Sequence, residues 1–337
     1  MKTLRCFCAI AIFATSFSLP FVSHAQTPQE REEIKAFLVN WKKTNLVEQT
    51  EILKLNRYGK NTLPLLAEFL PDKELGFNAQ LAMDQLDPIG ATPYKLKNLP
   101  NVDGNVQRNT FDSANVSLQQ YEWHVRAGKP DLDPSKPAPN YPINKTPYPF
   151  TKEIHDAAVV CLQSMTQLVG REEAAIRTIG LAGTKRDINL LKEYGKKFPE
   201  ADWLCVMATA KLGDGKSLKL IESELKKPVV TVPAQGFSTD RGINIPAKPG
   251  AIVSELRSGQ RLRVAMEQAA FTMNRRFIIP IAKHLDDPSG QRHGDYSDPD
   301  PSYFAKEALS KIVYGDPILY LKSESWKQRL KLPISKP

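Results

Sequence analysis

The chain has 337 residues, with 46 Lys+Arg against 37 Asp+Glu and a formal net charge of +9. Hydrophobic residues make up 41% and charged residues 25%, alongside 26 Pro, 18 Gly and four Cys; this excludes wholesale disorder, collagen and a disulfide-stapled mini-protein. A chain of this length buries a core without metal or disulfide, and about two domains or one elongated array is expected.

Residues 1–25 open Met1-Lys2-Thr3-Leu4-Arg5, continue with an apolar run over 6–13, and end at Ser23-His24-Ala25 before Gln26. A cationic start, a short apolar stretch and a small-x-small site make the pattern of a secretory signal peptide. Thr15, Ser16, Ser18 and Pro20 break the apolar run, which falls short of the roughly 20 residues a membrane-spanning helix needs. The expectation is an exported protein, periplasmic or secreted, cleaved near Gln26 and with no transmembrane segment afterwards. Nucleic acid is then not the expected target of the positive charge. A protein or an anionic polymer of the envelope is.

Apolar residues recur at helical spacing along most of the remaining chain. Ile34, Phe37, Leu38 and Trp41 form one face, and Ala79, Ala82, Met83 and Leu86 another. Ile154, Ala158, Cys161, Leu162 and Met165 form a third, and Phe304, Ala305, Ala308, Leu309 and Ile312 a fourth. Gly59, Pro71, Gly170, Gly183, Gly195, Gly213 and Gly315 punctuate these runs where helices stop. Alternating patterns are confined to 229–232 and 243–245. Cys161 and Cys205 both sit in apolar helical contexts, separated by most of two helix pairs. A disulfide needs Cα atoms within about 7 Å, so both are expected to be buried thiols.

Setting segments beneath one another exposes a repeat. The run from Ala175 through Ile179-Gly180-Leu181-Ala182-Gly183 leads to Ile188-Asn189-Leu190-Leu191. Thirty residues later the run from Cys205 through Thr209-Ala210-Lys211-Leu212-Gly213 leads to Leu218-Lys219-Leu220-Ile221. A third copy covers 305–314, then Gly315-Asp316-Pro317 and Ile318-Leu319-Tyr320-Leu321. A degenerate one covers 262–273, then Asn274 and Phe277-Ile278-Ile279. Each copy reads as a helix, a tight Gly- or Asn-containing turn and a second helix. Neither helix buries its apolar face alone, so copies must stack.

This pattern of small-x-x-apolar-Gly-Asp followed by apolar-x-apolar-apolar resembles HEAT repeats, particularly the short variety of phycobilisome-lyase-like proteins. Leu63-Pro64-Leu65-Leu66 with Asp72 and then 78–86 resembles a HEAT unit too, as does Ile279-Pro280-Ile281 with Asp286. The resemblance implies an all-α fold, a HEAT-like α-solenoid of stacked helix pairs interrupted by proline-rich and loop insertions. It carries no catalytic residue with it.

The segments follow from these features. After the signal peptide come a helical HEAT-like region over 26–94, a proline-rich insertion over 95–152 and repeats over 153–227. An insertion over 228–252, repeats over 253–321 with a long loop at 286–301, and a basic tail over 322–337 complete the chain. In the first insertion Pro130, Pro134, Pro137, Pro139, Pro142, Pro147 and Pro149 crowd the end, which forbids helix and favours extended backbone. It reads either as an inter-domain linker or as a strap that Tyr121, Trp123, Tyr141, Tyr148 and Phe150 pin to the repeats. The second insertion, with Pro228-Val229-Val230-Thr231-Val232-Pro233, reads as a β-hairpin or arm.

Chemistry-bearing residues are sparse. Gly213-Asp214-Gly215-Lys216-Ser217 imitates the end of a P-loop, but Ala210 stands where that motif needs Gly and the segment joins two helices. It reads as a repeat turn. Loop 286–301 brings Asp295, Asp298 and Asp300 beside His284 and His293, oxygen and imidazole donors that suit a metal as the weaker reading, with helix capping and solvation as the other. No cofactor and no catalytic residue is assigned, because no nucleophile or zinc-hydrolase motif appears. Arg257, Arg261, Arg263, Arg275 and Arg276 form the densest basic group, and with Tyr121 and Trp123 they are the expected partner contacts. Binding through a scaffold is therefore favoured. An exported enzyme acting on cell-wall or polysaccharide material, with a site built from the insertions, is the alternative. Asn115-Val116-Ser117 and Asn144-Lys145-Thr146 are glycosylation sequons, meaningful in a eukaryotic source.

Overall fold

In a computed structural model the helical periodicity becomes fourteen α-helices among the described residues, joined in places by short 3-10 turns. The structure describes residues 27–44, 59–127, 146–168, 170–227, 249–287, 301–315 and 322–331, and no strand occurs among them. The described residues fall into two compact units. The first draws on Met1–Ala114, Pro149–Ala157 and Thr166–Ala174, the second on Asn115–Tyr148, Ala158–Met165 and Ala175–Pro337.

In the first unit α1 (Pro28–Thr44) packs on α3 (Gly76–Leu86), and α2 (Leu63–Glu68) packs on both α3 and α4 (Thr92–Asn98). Pro64 fits the first turn of α2, where its missing N–H costs nothing. The Asp72 carboxylate accepts the Glu74 and Leu75 amides ahead of α3, at 2.7 and 3.0 Å. Ile34, Leu38, Leu66, Ala79 and Met83 are fully buried where these helices meet, and Phe37 meets Trp41 edge-on at 5.6 Å. Each of the buried Ile, Leu and Met side chains contributes roughly 1.5–3 kcal/mol.

Residues 95–127, expected within a proline-rich insertion of extended backbone, are instead largely helical. Part of α4 covers 95–98, and α5 (Gly104–Ala127) runs for 24 residues. The crowded prolines begin at Pro130, beyond it in the sequence. Asp103 starts α5 by accepting the Asn105 amide at 2.8 Å. Residues 128–145 lie outside the described part, as does the sequon residue Asn144. The other sequon residue, Asn115, is buried on α5 and accepts a hydrogen bond from Thr178 Oγ at 2.9 Å.

In the second unit the repeat becomes pairs. The helix α6 (Thr151–Ser164) belongs here from Ala158 on, as does α7 (Glu172–Ala182) from Ala175 on, and α7 precedes α8 (Ile188–Lys197). Next come α9 (Asp202–Lys211) with α10 (Gly215–Lys226) and α11 (Pro249–Thr272) with α12 (Ile278–Ala282). Then α13 (Pro301–Tyr314) stands before the final α14 (Ser323–Arg329); the second half of its copy, 318–321, lies outside the described residues. Each pair turns on a polar cap. Thr184 and Asp187 form a capping box, Asp214 accepts the Ser217 amide, and Asn274 accepts the Arg276 amide. Gly213-Lys216 is thus a helix cap between α9 and α10, as expected. Met273 takes a left-handed φ of 53°, where the equivalent residue one full copy earlier is Gly213 at 92°.

Packing follows the order of the pairs. First helices pack on first helices, α9 on α11 and α11 on α13, while the second helix α10 packs on α12. Contacts of α8 with α9, α10 with α11 and α12 with α13 tie one pair to the next. Small residues permit the close approach: a Cβ at Gly180 would lie 3.2 Å from Ala208 and 3.0 Å from the Phe271 ring. Leu262, Met266, Ala269, Leu309 and Ile312 are buried at the centre.

Two further boundaries move. Residues 249–252, assigned to the second insertion, already belong to α11, and 228–248 lie outside the described residues. The basic tail is not a free tail at its start, because α14 buries Trp326 completely against the Tyr314 ring, with centroids 5.6 Å apart. Cys161 and Cys205 are buried thiols. Burial, helped by Asp202, pushes the Cys205 thiol up to about 12.

Candidate functional site

The dense arginine group lies in the second unit, on α11 and at the start of α12. Arg261 donates from Nη1 to the Glu224 carbonyl at 2.8 Å and to its carboxylate at 3.1 Å. Arg276 donates from Nε to Glu222 Oε2 at 3.1 Å and through Nη2 to the same oxygen. Both glutamates hold a second cation, Lys226 on Glu222 and Lys227 on Glu224. Hydrogen bonds from Lys226 and Arg276 hold the Glu222 carboxyl below its usual range. Burial works to raise Glu224, and the bonds from Lys227 and Arg261 outweigh it, so it too is lowered.

Two of the five expected contact arginines, Arg261 and Arg276, therefore form ion pairs within the chain. Arg263 lies 5.0 Å over the Phe304 ring, a cation–π placement. Arg275 is exposed, and the side chain of Arg257 lies outside the described residues. Tyr121 and Trp123 are half-buried on α5 instead of on a strap. Trp123 has its backbone against Gly315, where a Cβ would come within 2.9 Å of its carbonyl oxygen. Between them Glu122 pairs with Lys211. This stretch of α5 is part of the second unit's packing.

His284, the one candidate metal ligand within the described residues, is buried at the end of α12. Its Nε2 lies 2.8 Å from the Leu225 carbonyl oxygen, to which it donates, and its Nδ1 lies 3.3 Å from Asp287. The ring thus ties α12 to α10. His293, Asp295, Asp298 and Asp300 lie outside the described residues. Among the described residues no group of three metal-ligating side chains assembles.

What sequence reasoning missed is where the uncommitted charge sits. Lys185, Arg186, Lys196, Lys216, Lys219 and Lys283 are exposed and make no ion pair among the described residues. All six lie on or beside second helices. The signal was available, since residues 185–197, 214–227 and 275–287 hold twelve Lys+Arg against seven Asp+Glu. The first helices of the same unit, 172–182, 202–211, 259–272 and 301–314, hold six against five. Leu220 and Ile279 stand among these cations, 47% and 51% exposed.

A second polar group, in the first unit, also escaped the sequence. Lys95 on α4 is 2% exposed and pairs with Asp84 on α3. Asp84 also accepts from Ser113 Oγ at 2.9 Å. Gln80, one turn before Asp84, donates to Thr110 Oγ at 2.8 Å. Burial outweighs the attraction of Asp84 and holds the Lys95 amine below its usual value. Ser113 also donates to the Asn109 carbonyl one turn back, the ordinary bond of a helical serine. The group ties three helices together.

Comparison with known proteins finds no match, either to a family model, to a curated protein or to a solved structure. Among the described residues no helix is long and apolar enough to cross a membrane.

Proposed function

We propose that this is an exported binding protein, a HEAT-like solenoid of stacked helix pairs that holds a protein or anionic polymer of the cell envelope. The observation that carries the reading is the order of packing in the second unit, with α9, α11 and α13 in one layer and α10 and α12 in the other. Stacks of this kind offer an extended, rigid surface on which binding costs little ordering. The signal-peptide pattern of residues 1–25 supplies the address.

Affinity capture with the tagged mature chain from an envelope extract tests it. A partner retained in defined proportion at physiological salt, and released as salt rises, supports the reading. The enzyme alternative replaces it if the purified protein turns over an envelope glycan or peptide and loses that activity when His284, Asp295 or Asp298 is substituted.

A further inference from the structure

Resting on the binding reading, we infer that the second-helix layer is the docking surface and that its occupant is an acidic, leucine-bearing segment of a partner protein. The layer is continuous through its own ion pairs. Lys192 on α8 reaches the Asp214 cap of α10 at 2.8 Å, and Arg276 beside α12 reaches Glu222 on α10. Those pairs, with Lys226 on Glu222 and with Lys227 and Arg261 on Glu224, occupy the three carboxylates of α10 and its cap, leaving Glu193 on α8 as an exposed acid. Asp214, Glu222 and Glu224 each face cations of the chain itself, whereas Lys216, Lys219 and Lys283 face solvent.

On α10 the geometry is explicit. Ser217, Leu218, Ile221 and Leu225 are buried on one side. Lys216, Lys219, Leu220, Ser223 and Lys227 share the exposed side, as a 3.6-residue period requires. A cationic face at this density calls for a complementary anionic one. The exposed Leu220 and Ile279 select among anions. A simple polyanion leaves both side chains wet. A bilayer wants a broad apolar face and a large amphipathic moment, and each of these helices offers a single exposed aliphatic residue. A peptide with acidic residues around a leucine satisfies charge and anchor together.

The probe is a short fluorescent peptide alternating Glu and Leu, read by anisotropy, beside polyglutamate of equal charge, polyphosphate and phosphatidylglycerol vesicles. The variant Lys216→Glu/Lys219→Glu places one acid in the first turn of α10, where the helix dipole favours it, and the other at an exposed position just beyond, so folding survives. Expected are about tenfold weaker binding of the Glu–Leu peptide by this variant and a several-fold loss for Leu220→Ser with that peptide but not with polyglutamate. Binding should weaken as salt rises from about 50 to about 300 mM. Lys35→Glu/Lys73→Glu, the same charge change on exposed residues of the first unit, should match the wild type.

The inference is overturned if the peptide does not bind, if the first-unit variant loses as much, or if polyphosphate or vesicles bind tightly while leucine makes no difference. Passing the same variants through the envelope capture separates the two claims. A partner kept by Lys216→Glu/Lys219→Glu removes this surface and leaves the binding reading standing. No partner held even by the wild type removes that reading itself.

Discussion

Substituting Asp84 by Ala should destabilise the first unit more than substituting its partner Lys95 by Met. The Lys95 side chain is 1% exposed and that of Asp84 is 18% exposed. Losing Asp84 strands an ammonium with no route to water, a cost of about 3–5 kcal/mol for a broken buried pair. Losing Lys95 leaves a carboxylate that keeps the Ser113 hydroxyl at 2.9 Å and some solvent, so about 1–2 kcal/mol is expected. Methionine also fills the space of the lysine stem. The double variant should cost less than the sum by more than about 1 kcal/mol, the mark of a coupled pair. Urea melts at pH 7, followed by circular dichroism with the slope checked for constancy, measure all three. Protons add a second reading. Folded Lys95 releases its proton more readily than a free lysine at 10.5. The unfolded chain therefore binds more protons between the two values, and stability rises with pH across that window. Without Asp84 the charged form loses its one attraction, the window widens downward, and the deficit should shrink as pH rises toward 10.5. Equal costs for the two single variants, or strict additivity in the double, would refute the reasoning.

Further outcomes follow from the second unit. Gly315→Ala combines a φ of 68° with a Cβ 2.9 Å from the Trp123 carbonyl and should cost about 2–3 kcal/mol in a thermal or urea melt. Gly180→Ala crowds Phe271 and Ala208 and should cost about 1–3 kcal/mol by the same assay. Iodoacetamide at pH 8 should leave Cys205 untouched in the folded protein and modify it once urea unfolds the chain, because the buried thiol is held at about 12. Glu222 and Glu224 are lowered from 4.5, so the stability they add is present above 4.5 and fades as pH falls through their folded values. Glu222→Gln should flatten the acid limb of the pH–stability curve.

The helices and their pairing were legible because apolar residues at helical spacing and Gly, Asp or Asn turns are local signals, as at Gly213-Asp214. The degenerate copy was legible even though Met273 stands at the glycine position. By contrast, α5 hid its helix behind polar residues. Its buried side includes Thr110 and Asn115 beside Val106, Phe111 and Ala114, and hydrogen bonds replace the apolar stripe a reader looks for. The Asp84–Lys95 pair spans two helices and a turn, so neither residue differs locally from a solvated one. Charge density pointed to the arginine group, yet Glu222 and Glu224 reach Arg276 and Arg261 from 54 and 37 residues away. Only folding reveals that those arginines are engaged while Lys185, Lys196, Lys216, Lys219 and Lys283 make no ion pair among the described residues.

Site-specific photo-crosslinking in intact cells tests the central claim most directly. A photoreactive residue at Ser223, exposed on the outer side of α10, is compared with one at Lys73, exposed in the first unit. The account predicts a crosslink from Ser223 to an acid-rich partner protein in the envelope and none from Lys73. Recovery of only the uncrosslinked chain from Ser223, or the same product from both positions, would contradict it.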